Sequence, residues 1–321
     1  MEDHNLVSVF MPCYNQEDFI RDAIESVVQQ DYPDLELIIG DDCSTDKTWE
    51  IVCHYKALYP NLIKAFRNQT NLGITANCNK VLEKCSGKYI CFTSGDDSYL
   101  PGKISKQVDF MKLNQNLILS YHDIEVYSSA DDKTIRYWNH GKSSKRAITG
   151  SSAIVADKIL QEGTSFIASL SVMAKAENIP ASGYDMRVPV ASDWLMWIEI
   201  LMSGRDDAEV GFLPDVLARY RMHNNNISGT GYKHTADEYV TLSIVEDKYP
   251  EFANSVNRGL AQVRYRYGAR YIRAGRRKVG RQLMLLSLRN RWLSWKVFYW
   301  IAASYCTALP TQRKKIFKRL L

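Results

Sequence analysis

The sequence lacks both common glycine-rich phosphate-binding patterns, G-x-x-x-x-G-K followed by Ser or Thr, and G-x-G-x-x-G. Its seven cysteines are odd in number and form no C-x-x-C pair, which argues against a zinc or disulfide framework. No apolar run reaches the roughly 18–20 residues of a membrane span, and the acidic N-terminus has no apolar signal region. We therefore expect a cytoplasmic chain that holds any phosphate group without a P-loop.

Acidic residues are absent after Glu251, whereas 17 Lys and Arg residues lie between Arg258 and Arg319. The preceding part has 24 basic and 36 acidic residues, so an acidic body is followed by a basic tail. This division predicts two parts with different partners. Because apolar and aromatic residues are interleaved with its arginines, the tail favours an anionic membrane surface, or the acidic body, over nucleic acid.

Short apolar runs alternate with amphipathic stretches in the first part of the chain. Strands are predicted at 7–11, 35–39, 62–66 and 89–93, and helices at 18–30, 48–58 and 74–84. Such alternation is typical of a doubly wound α/β sheet, which binds ligands at the carboxyl ends of its strands. Residues 1–115 are therefore predicted to form the ligand-binding half of one domain.

The pattern changes in the second half of this domain, which we place at 116–230. Strands are predicted at 117–127 and 134–138, a helix at 192–202, and a strand, a turn and a second strand within 210–221. These elements would extend the sheet and add a second wall to the pocket. Residues 231–321 are predicted to form basic amphipathic helices, with apolar residues recurring every three or four positions.

Carboxylates cluster where the predicted strands end. Asp41 and Asp42 follow the second strand, and Asp96 and Asp97 follow the fourth. Adjacent carboxylates repel, so the pKa of one of them rises unless a cation is present. Mg²⁺ or Mn²⁺ bound to a diphosphate would remove this conflict, because such ions combine one or two carboxylates with phosphate oxygens.

Each of these features also has a simpler explanation when it is taken alone. The Asp42 and Asp97 segments could be turns that cap the following helices. Asp193 could simply stabilise its helix, because a negative charge is favourable near a helix N-terminus. His223 could lie in a surface loop. The presence of all four in one chain favours a shared site.

Four segments resemble the family-2 inverting glycosyltransferases, which have the GT-A fold and use nucleotide sugars. The most specific is VSVFMPCYNQEDFIRDAIESVVQQDYPDLELIIGDDCSTDKTWEIV, and NLGITANCNKVLEKCSGKYICFTSGDDSYLPGKISKQ continues it. The looser matches are GYDMRVPVASDWLMWIEI and YRMHNNNIS. Together they cover roughly residues 6–228 and imply a GT-A-like doubly wound mixed sheet, with the basic tail outside the resemblance.

The resemblance implies a role for each matching residue. It implies Asp193 as the catalytic base, Asp97 and His223 at the metal, and Trp194 as a weaker candidate for the acceptor. The implied nucleotide-sugar contacts are Pro12, Tyr14, Asn15, Asp42, Asn79 and Asp96. Two positions depart from the family pattern: Ser192 replaces a frequent Glu before the base, and Cys78 replaces a frequent Arg.

These features lead us to expect a metal-dependent inverting glycosyltransferase of surface-polysaccharide assembly. Its donor would be a UDP- or dTDP-sugar, and its acceptor a hydroxyl of a glycan or lipid-linked glycan. The basic tail would hold it on the inner face of the cell membrane. A sugar nucleotidyltransferase is a second interpretation, although the Pro12 loop lacks the glycines and the basic residue such enzymes usually have. A non-catalytic membrane-surface scaffold is a third.

Overall fold

A computed structural model of the chain describes residues 5–141, 146–163, 165–203, 206–223, 226, 235–289 and 294–305. Within them, ten strands form one mixed sheet. The strands are β1 (Val7–Cys13), β2 (Leu35–Asp41), β3 (Ile63–Arg67), β4 (Tyr89–Phe92), β5 (Ser98–Tyr99), β6 (Leu117–Ser128), β7 (Lys133–Tyr137), β8 (Gly150–Ser151), β9 (Met173–Lys175) and β10 (Glu209–Met222).

Ten α-helices lie in the described residues, and the first three connect β1 to β4 as the sequence predicts. They are α1 (Ile20–Val28), α2 (Thr48–Leu58), α3 (Ile74–Leu82), α4 (Lys103–Leu113), α5 (Ser152–Glu162), α6 (Ser192–Ser203), α7 (Thr235–Lys248), α8 (Ala253–Arg273), α9 (Arg277–Arg289) and α10 (Trp295–Ala303). Short 3₁₀ turns occupy Ser169–Ser171, Ala176–Asn178 and Pro250–Phe252.

The strand order is β3-β2-β1-β4-β9-β6-β10-β5, with β7 added to β6 and β8 to β10. Strands β1 to β4 are parallel to their neighbours in this half, and β6 and β10 form a second parallel pair. Strand β9 is antiparallel to both β4 and β6 and joins the two halves. The apolar side chains of β1 and β2 are buried, because helices cover the central strands of such a sheet.

Residues 210–221 differ from their prediction. They lie in the single strand β10, whose pairing with β6 shifts between Leu213 and Val216 and again before Ala218. Pro214 and Asp215 suggested a turn, since proline cannot donate a ladder hydrogen bond. The sheet instead accommodates them as an exposed irregularity inside the strand.

The chain divides into two compact units, Met1–Ala156 with Ser165–Lys233, and Asp157–Thr164 with His234–Leu321. The boundary expected at 230/231 falls among residues outside those described. In the second unit, Val256, Val263 and Tyr267 of α8 are buried, as their spacing predicts. No helix in the described part of the chain is long and apolar enough to cross a membrane.

Candidate active site

The loops after β1 and β2 are joined by hydrogen bonds at the carboxyl edge of the sheet. The Asn15 N–H donates to Ser44 Oγ (2.9 Å), and Asn15 Oδ1 accepts from the Thr45 N–H (2.8 Å). Pro12 and Tyr14 lie on the same loop, and the Tyr14 side chain is exposed. Three of the residues singled out in the sequence therefore line one edge.

The two aspartates after β2 are buried and shape the neighbouring loops. Asp41 accepts from the Ser44 N–H (3.0 Å) and pairs with Arg67 Nε (3.2 Å). Asp42 accepts from Asn68 Nδ2 and from the N–H groups of Leu72 and Gly73, each at 2.9 Å. Asp42 thus fixes the chain that enters α3, next to the edge of the sheet.

The turn after β4 brings its two carboxylates onto one hydroxyl. Ser94 Oγ lies 2.5 Å from Asp96 Oδ1 and 3.0 Å from Asp97 Oδ2. A hydroxyl has a single proton, so it donates to only one carboxylate at a time. The carboxylate pair is therefore only partly compensated by this serine.

Residues at the end of β10 contact both aspartates. His223 Nε2 lies 3.0 Å from Asp96 Oδ2, and its ring packs on Phe19 with centroids 4.4 Å apart. The Arg221 N–H donates to Asp97 Oδ1 (3.0 Å), and Arg221 Nε donates to the Asp96 carbonyl (3.1 Å). The structure thus brings the predicted trio of Asp96, Asp97 and His223 together.

The pKa values of the two aspartates move in opposite directions. Burial and the charge of Asp96 raise the pKa of Asp97 well above its ordinary value, against hydrogen bonds from Arg221 and Ser94. For Asp96, burial is outweighed by hydrogen bonds from His223 and Ser94, and the pKa is lowered. Asp96 therefore carries the negative charge first, and a proton or cation is favoured at Asp97.

Gly95 lets the turn approach the β1 loop closely. A Cβ at this position would lie 2.7 Å from Ile20 Cδ1 and 2.9 Å from Cys13 Cβ, and would also meet Gln16 Oε1. The Gly95 N–H faces the Pro12 carbonyl at 3.3 Å. The glycine between strand and carboxylates is thus required by packing.

Asp193 lies at the start of α6 and is held by the 3₁₀ turn before β9. Ser169 Oγ donates to Asp193 Oδ2 (2.6 Å), and the Trp194 N–H donates to Asp193 Oδ1 (2.8 Å). The preceding Ser192 accepts from Thr75 Oγ1 (3.0 Å), which ties α6 to α3. The N-terminus of a helix favours a negative charge at this position.

Two other predicted residues are used in packing. Asn79 Nδ2 donates to the Tyr184 carbonyl (2.9 Å), and its Oδ1 accepts from the Tyr184 N–H (2.7 Å), so both ends of the amide hold this turn. Trp194 is only 5% exposed, and Trp197 is fully buried against Phe92. This burial leaves little tryptophan surface for an acceptor, and Trp197 packs in the core as its apolar surroundings suggest.

Sequence analysis did not single out Ser94, Ser169 or Arg221. Serines at loop positions carry no distinctive signal, since they also form ordinary turns. Arg221 lies two residues before His223 in the matched YRMHNNNIS segment, and this position was the available signal. Its contact with the aspartate turn depends on sheet pairing between distant parts of the chain.

The aspartate turn fits a divalent cation by the chemistry of its donors. The described residues contain no group of three or more His, Cys, Asp or Glu side chains that could hold a metal. Two carboxylates and a hydroxyl are nevertheless the hard oxygen ligands that Mg²⁺ and Mn²⁺ prefer. Mg²⁺ usually takes one or two carboxylates and fills its remaining positions with water and phosphate oxygens. The raised pKa of Asp97, which shows that a positive charge is favoured beside it, is consistent with such an ion.

The fold is a mixed α/β sheet whose acidic loops meet at one edge, and sequence comparison shows what this fold is similar to. Residues 8–156 match the family model described as glycosyl transferase family 2. This stretch is similar to family-2 glycosyltransferases, which confirms the resemblance seen in the sequence.

Curated relatives are similar over most of this chain. An uncharacterized protein of Mycobacterium tuberculosis is 30% identical over 234 residues, which are 70% of this chain and 61% of that protein. A Bacillus subtilis protein provisionally named teichuronic acid biosynthesis glycosyltransferase TuaG is 28% identical, over 71% of this chain and 83% of its own. The Escherichia coli UDP-Glc:alpha-D-GlcNAc-diphosphoundecaprenol beta-1,3-glucosyltransferase WfaP is 27% identical, over 71% and 82%. The chain thus spans about three fifths of the mycobacterial relative.

Solved structures confirm the predicted fold class. Staphylococcus aureus TarS 1-349 in complex with UDP-GlcNAc superposes with a TM-score of 0.64 at 15% identity, covering 93% of this chain and 90% of that chain. The chain therefore has the α/β fold of this glycosyltransferase, with a helical region after the sheet domain.

Proposed function

We propose that the protein is a metal-dependent inverting glycosyltransferase that moves a sugar from a nucleotide sugar to a hydroxyl of a glycan or lipid-linked glycan. The observation that carries the proposal is the turn of Asp96 and Asp97, bound by Arg221 and His223 at the carboxyl edge of the sheet, where sheets of this kind bind ligands. The donor would be a UDP- or dTDP-sugar, and the relatives support UDP, because WfaP is named for UDP-Glc and TarS was crystallised with UDP-GlcNAc. The names of TuaG and WfaP support a role in surface-polysaccharide assembly.

The donor would lie across the loops of β1, β2 and β4. Pro12, Tyr14 and Asn15 line the base and ribose on one side, and Asp42 holds the opposite loop. Asp97, with Asp96 and His223 beside it, would hold Mg²⁺ or Mn²⁺ at the diphosphate. When bound, this ion offsets the charge that develops on the leaving nucleoside diphosphate. We leave Asn79 out of the donor site, because both ends of its amide bind Tyr184.

Asp193 would act as the general base. Its carboxylate accepts the proton of the acceptor hydroxyl as that oxygen attacks the anomeric carbon. The hydrogen bond from Ser169 holds Asp193 Oδ2 in place and thereby fixes the orientation of the carboxylate. A single displacement with the base on the face opposite the leaving group inverts the anomeric centre, as in inverting hydrolases.

The proposal is tested by incubating the purified chain with UDP- and dTDP-sugars in Mn²⁺, Mg²⁺ or EDTA. We expect hydrolysis of at least one donor in metal, loss in EDTA, and a product anomer opposite to the donor's by NMR. Asp193→Asn is expected to abolish transfer and retain donor binding, while Asp97→Asn weakens metal-dependent donor binding. Wild-type turnover by Asp193→Asn would refute its role as base. If the protein binds no nucleotide sugar measurably, the non-catalytic scaffold is favoured instead.

We further propose that the second unit attaches the enzyme to an anionic membrane surface. Large apolar side chains are exposed along α9 and α10, and arginines and lysines flank them without any acidic residue. The most exposed are Leu285, Trp295, Phe298 and Tyr305, at 57%, 69%, 54% and 70%. Aromatic and apolar residues at the acyl boundary with cations at the headgroups suit such a surface.

Liposome sedimentation tests this attachment. Wild-type protein is expected to sediment with phosphatidylglycerol vesicles, and less in 0.5 M salt or with phosphatidylcholine. Trp295→Ser with Phe298→Ser is expected to stay in the supernatant, whereas Leu113→Ser, exposed by 84% in the first unit, serves as the matched control. Equal sedimentation of all variants would contradict the proposal.

A further inference from the structure

A second carboxylate–histidine pair lies in the first unit, and the mechanism above leaves it unused. Asp123 on β6 is 1% exposed, and its Oδ1 accepts from the N–H groups of Ile124 (2.8 Å), Trp138 (3.0 Å) and Asn139 (2.7 Å). Its Oδ2 is bonded to Nδ1 of His140, whose side chain is 55% exposed. A buried carboxylate with this many partners fixes both the loop after β7 and the ring.

The sheet register places Asp123 near the end of β4, where the aspartate turn begins. Cys91 of β4 and Ser120 of β6 both pair with Met173 of β9. Phe92, where β4 ends, is therefore level with Tyr121 of β6, because the two strands run in the same direction. Strands are spaced by about 4.8 Å, so these two positions are roughly 10 Å apart. Asp123 follows Tyr121 by two residues, as the aspartate turn follows Phe92.

The loop also shares its support with the proposed base. Trp138 Nε1 and Asn139 Nδ2 both donate to the Phe166 carbonyl at 3.1 Å. Ser169, three residues later, binds Asp193. Three residues span at most about 11 Å, so the loop and Asp193 lie within the length of a short oligosaccharide.

The accessible side chains of this loop, Tyr137 and His140, are of the kinds that bind a sugar ring. The rings of Tyr137 and His140 stack with centroids 4.2 Å apart and an interplanar angle of 19°. Aromatic faces bind the apolar face of a ligand, while imidazole and phenol groups offer hydrogen bonds to hydroxyls. The buried Trp194 and Trp197 offer no comparable surface.

We propose that His140 and Tyr137, positioned by Asp123, form the subsite for the acceptor sugar. This inference rests on the proposed glycosyltransferase function. The residues determine how the acceptor is held, and they take no part in activating the donor. Loss of either ring is therefore expected to weaken acceptor use and spare donor hydrolysis.

The test compares wild type, His140→Ala and Tyr137→Ala with Ile135→Ala, a control that is 52% exposed on the same strand. Donor hydrolysis is measured with metal and no acceptor. Transfer of radiolabelled sugar is measured into a lysate of source cells lacking the gene, which contains the natural acceptor. For the two ring variants, we expect the half-saturating lysate concentration to rise about five- to tenfold, as for loss of about one hydrogen bond or ring contact. Hydrolysis should stay within about twofold.

The outcomes separate the two proposals. Absence of donor hydrolysis or transfer by wild type would refute the proposed function. Active wild type with unchanged half-saturation in both ring variants would refute the subsite alone. An equal fall of hydrolysis and transfer would also refute it, because the effect would then act on the donor side.

Discussion

The backbone N–H of Arg221 donates to Asp97 Oδ1 at 3.0 Å, although 124 residues separate them in the chain. The pairing of β10 with β5 immediately after the aspartate turn brings these residues together. The Arg221 side chain adds a bond to the Asp96 carbonyl and an ion pair with Asp22 (2.9 Å). The position of the carboxylates is therefore set from the far end of the domain.

Replacement of Arg221 by Ala is expected to lower metal-dependent donor hydrolysis about 10- to 100-fold, since a misplaced catalytic group has effects of this size. The backbone bond to Asp97 survives, so the melting temperature should fall by only about 2–5 °C. Arg221→Lys should not restore activity, because lysine lacks the planar array of donors. Asp22→Asn, which removes only an ion pair on a half-exposed carboxylate, is the matched control and should stay within about twofold. Equal loss in both variants would contradict this role.

Replacement of Asp97 by Asn is expected to stabilise the protein while it abolishes activity. The pKa of Asp97 is raised by burial and by Asp96, so its contribution to stability is present below the unfolded pKa of about 4 and is lost as the pH rises through the folded-state value. With a chelator at pH 7.5, the variant should melt about 2–6 °C above wild type. Near pH 4 the difference should vanish. A lower melting temperature at pH 7.5 would contradict the assignment.

The first half of the fold could be predicted because its signals are local. The apolar runs of β1 and β2 and the periodic helices between them alternate as a parallel sheet requires. The three-residue strand β9 gives too short a pattern to detect, yet it joins the two halves of the sheet. At β10, Pro214 marks a local irregularity, but the strand continues through it, so the predicted turn is wrong.

In the site, too, only the residues that directly follow predicted strands could be placed from the sequence. Asp97 and Asp42 follow strands whose carboxyl ends meet in any parallel sheet, so their placement follows from the topology. The contacts of Asn79 with Tyr184, and of Asp123 with His140, depend on loops without periodicity. Their partners could not be identified until the chain was folded.

Replacement of Gly95 by Ala is expected to displace the β1 loop from the aspartate turn. The added Cβ would meet Ile20, Cys13 and Gln16, and overpacking of this kind costs about 1–3 kcal/mol. Donor hydrolysis should fall by about tenfold or more, as for other small misplacements in a site. Gln16→Ala removes the contact between the new Cβ and Gln16 Oε1, so the double variant should regain part of the lost hydrolysis. The substitution costs no hydrogen bond of Gln16 Oε1, because this buried atom has no partner among the described atoms. Wild-type kinetics in Gly95→Ala would contradict the prediction that close packing between these loops sets the position of the aspartates.

Replacement of His122 by Gln is expected to reduce the fall in unfolding free energy between pH 7.5 and pH 5.0. Burial and, after it, the charge of Lys103 lower the pKa of His122 to about 3, although the Asp123 carbonyl bound by Nδ1 at 2.8 Å opposes the shift. A histidine with a lowered folded-state pKa contributes stability above its unfolded value of about 6.5, and the contribution is lost as the pH falls towards the folded value. Between pH 7.5 and 5.0, wild type should therefore lose about 2 kcal/mol through this residue.

Urea titrations at these two pH values measure that difference. The carboxylates with lowered pKa values, Glu36, Asp46 and Asp96, lose their contributions only below their unfolded values near pH 4, so they change little in this window. The raised pKa of Asp97 acts in the same way in wild type and in both variants, so it cancels when their gaps are compared. Tyr121→Phe is a suitable neighbour control, because it removes buried hydrogen bonds to Ile148 without removing a group that titrates between pH 5 and 7.5. It should lower the unfolding free energy by a similar amount at both pH values, whereas His122→Gln should narrow the gap between them. An unchanged gap in His122→Gln would mean that folding does not lower the pKa of His122, which would contradict this prediction.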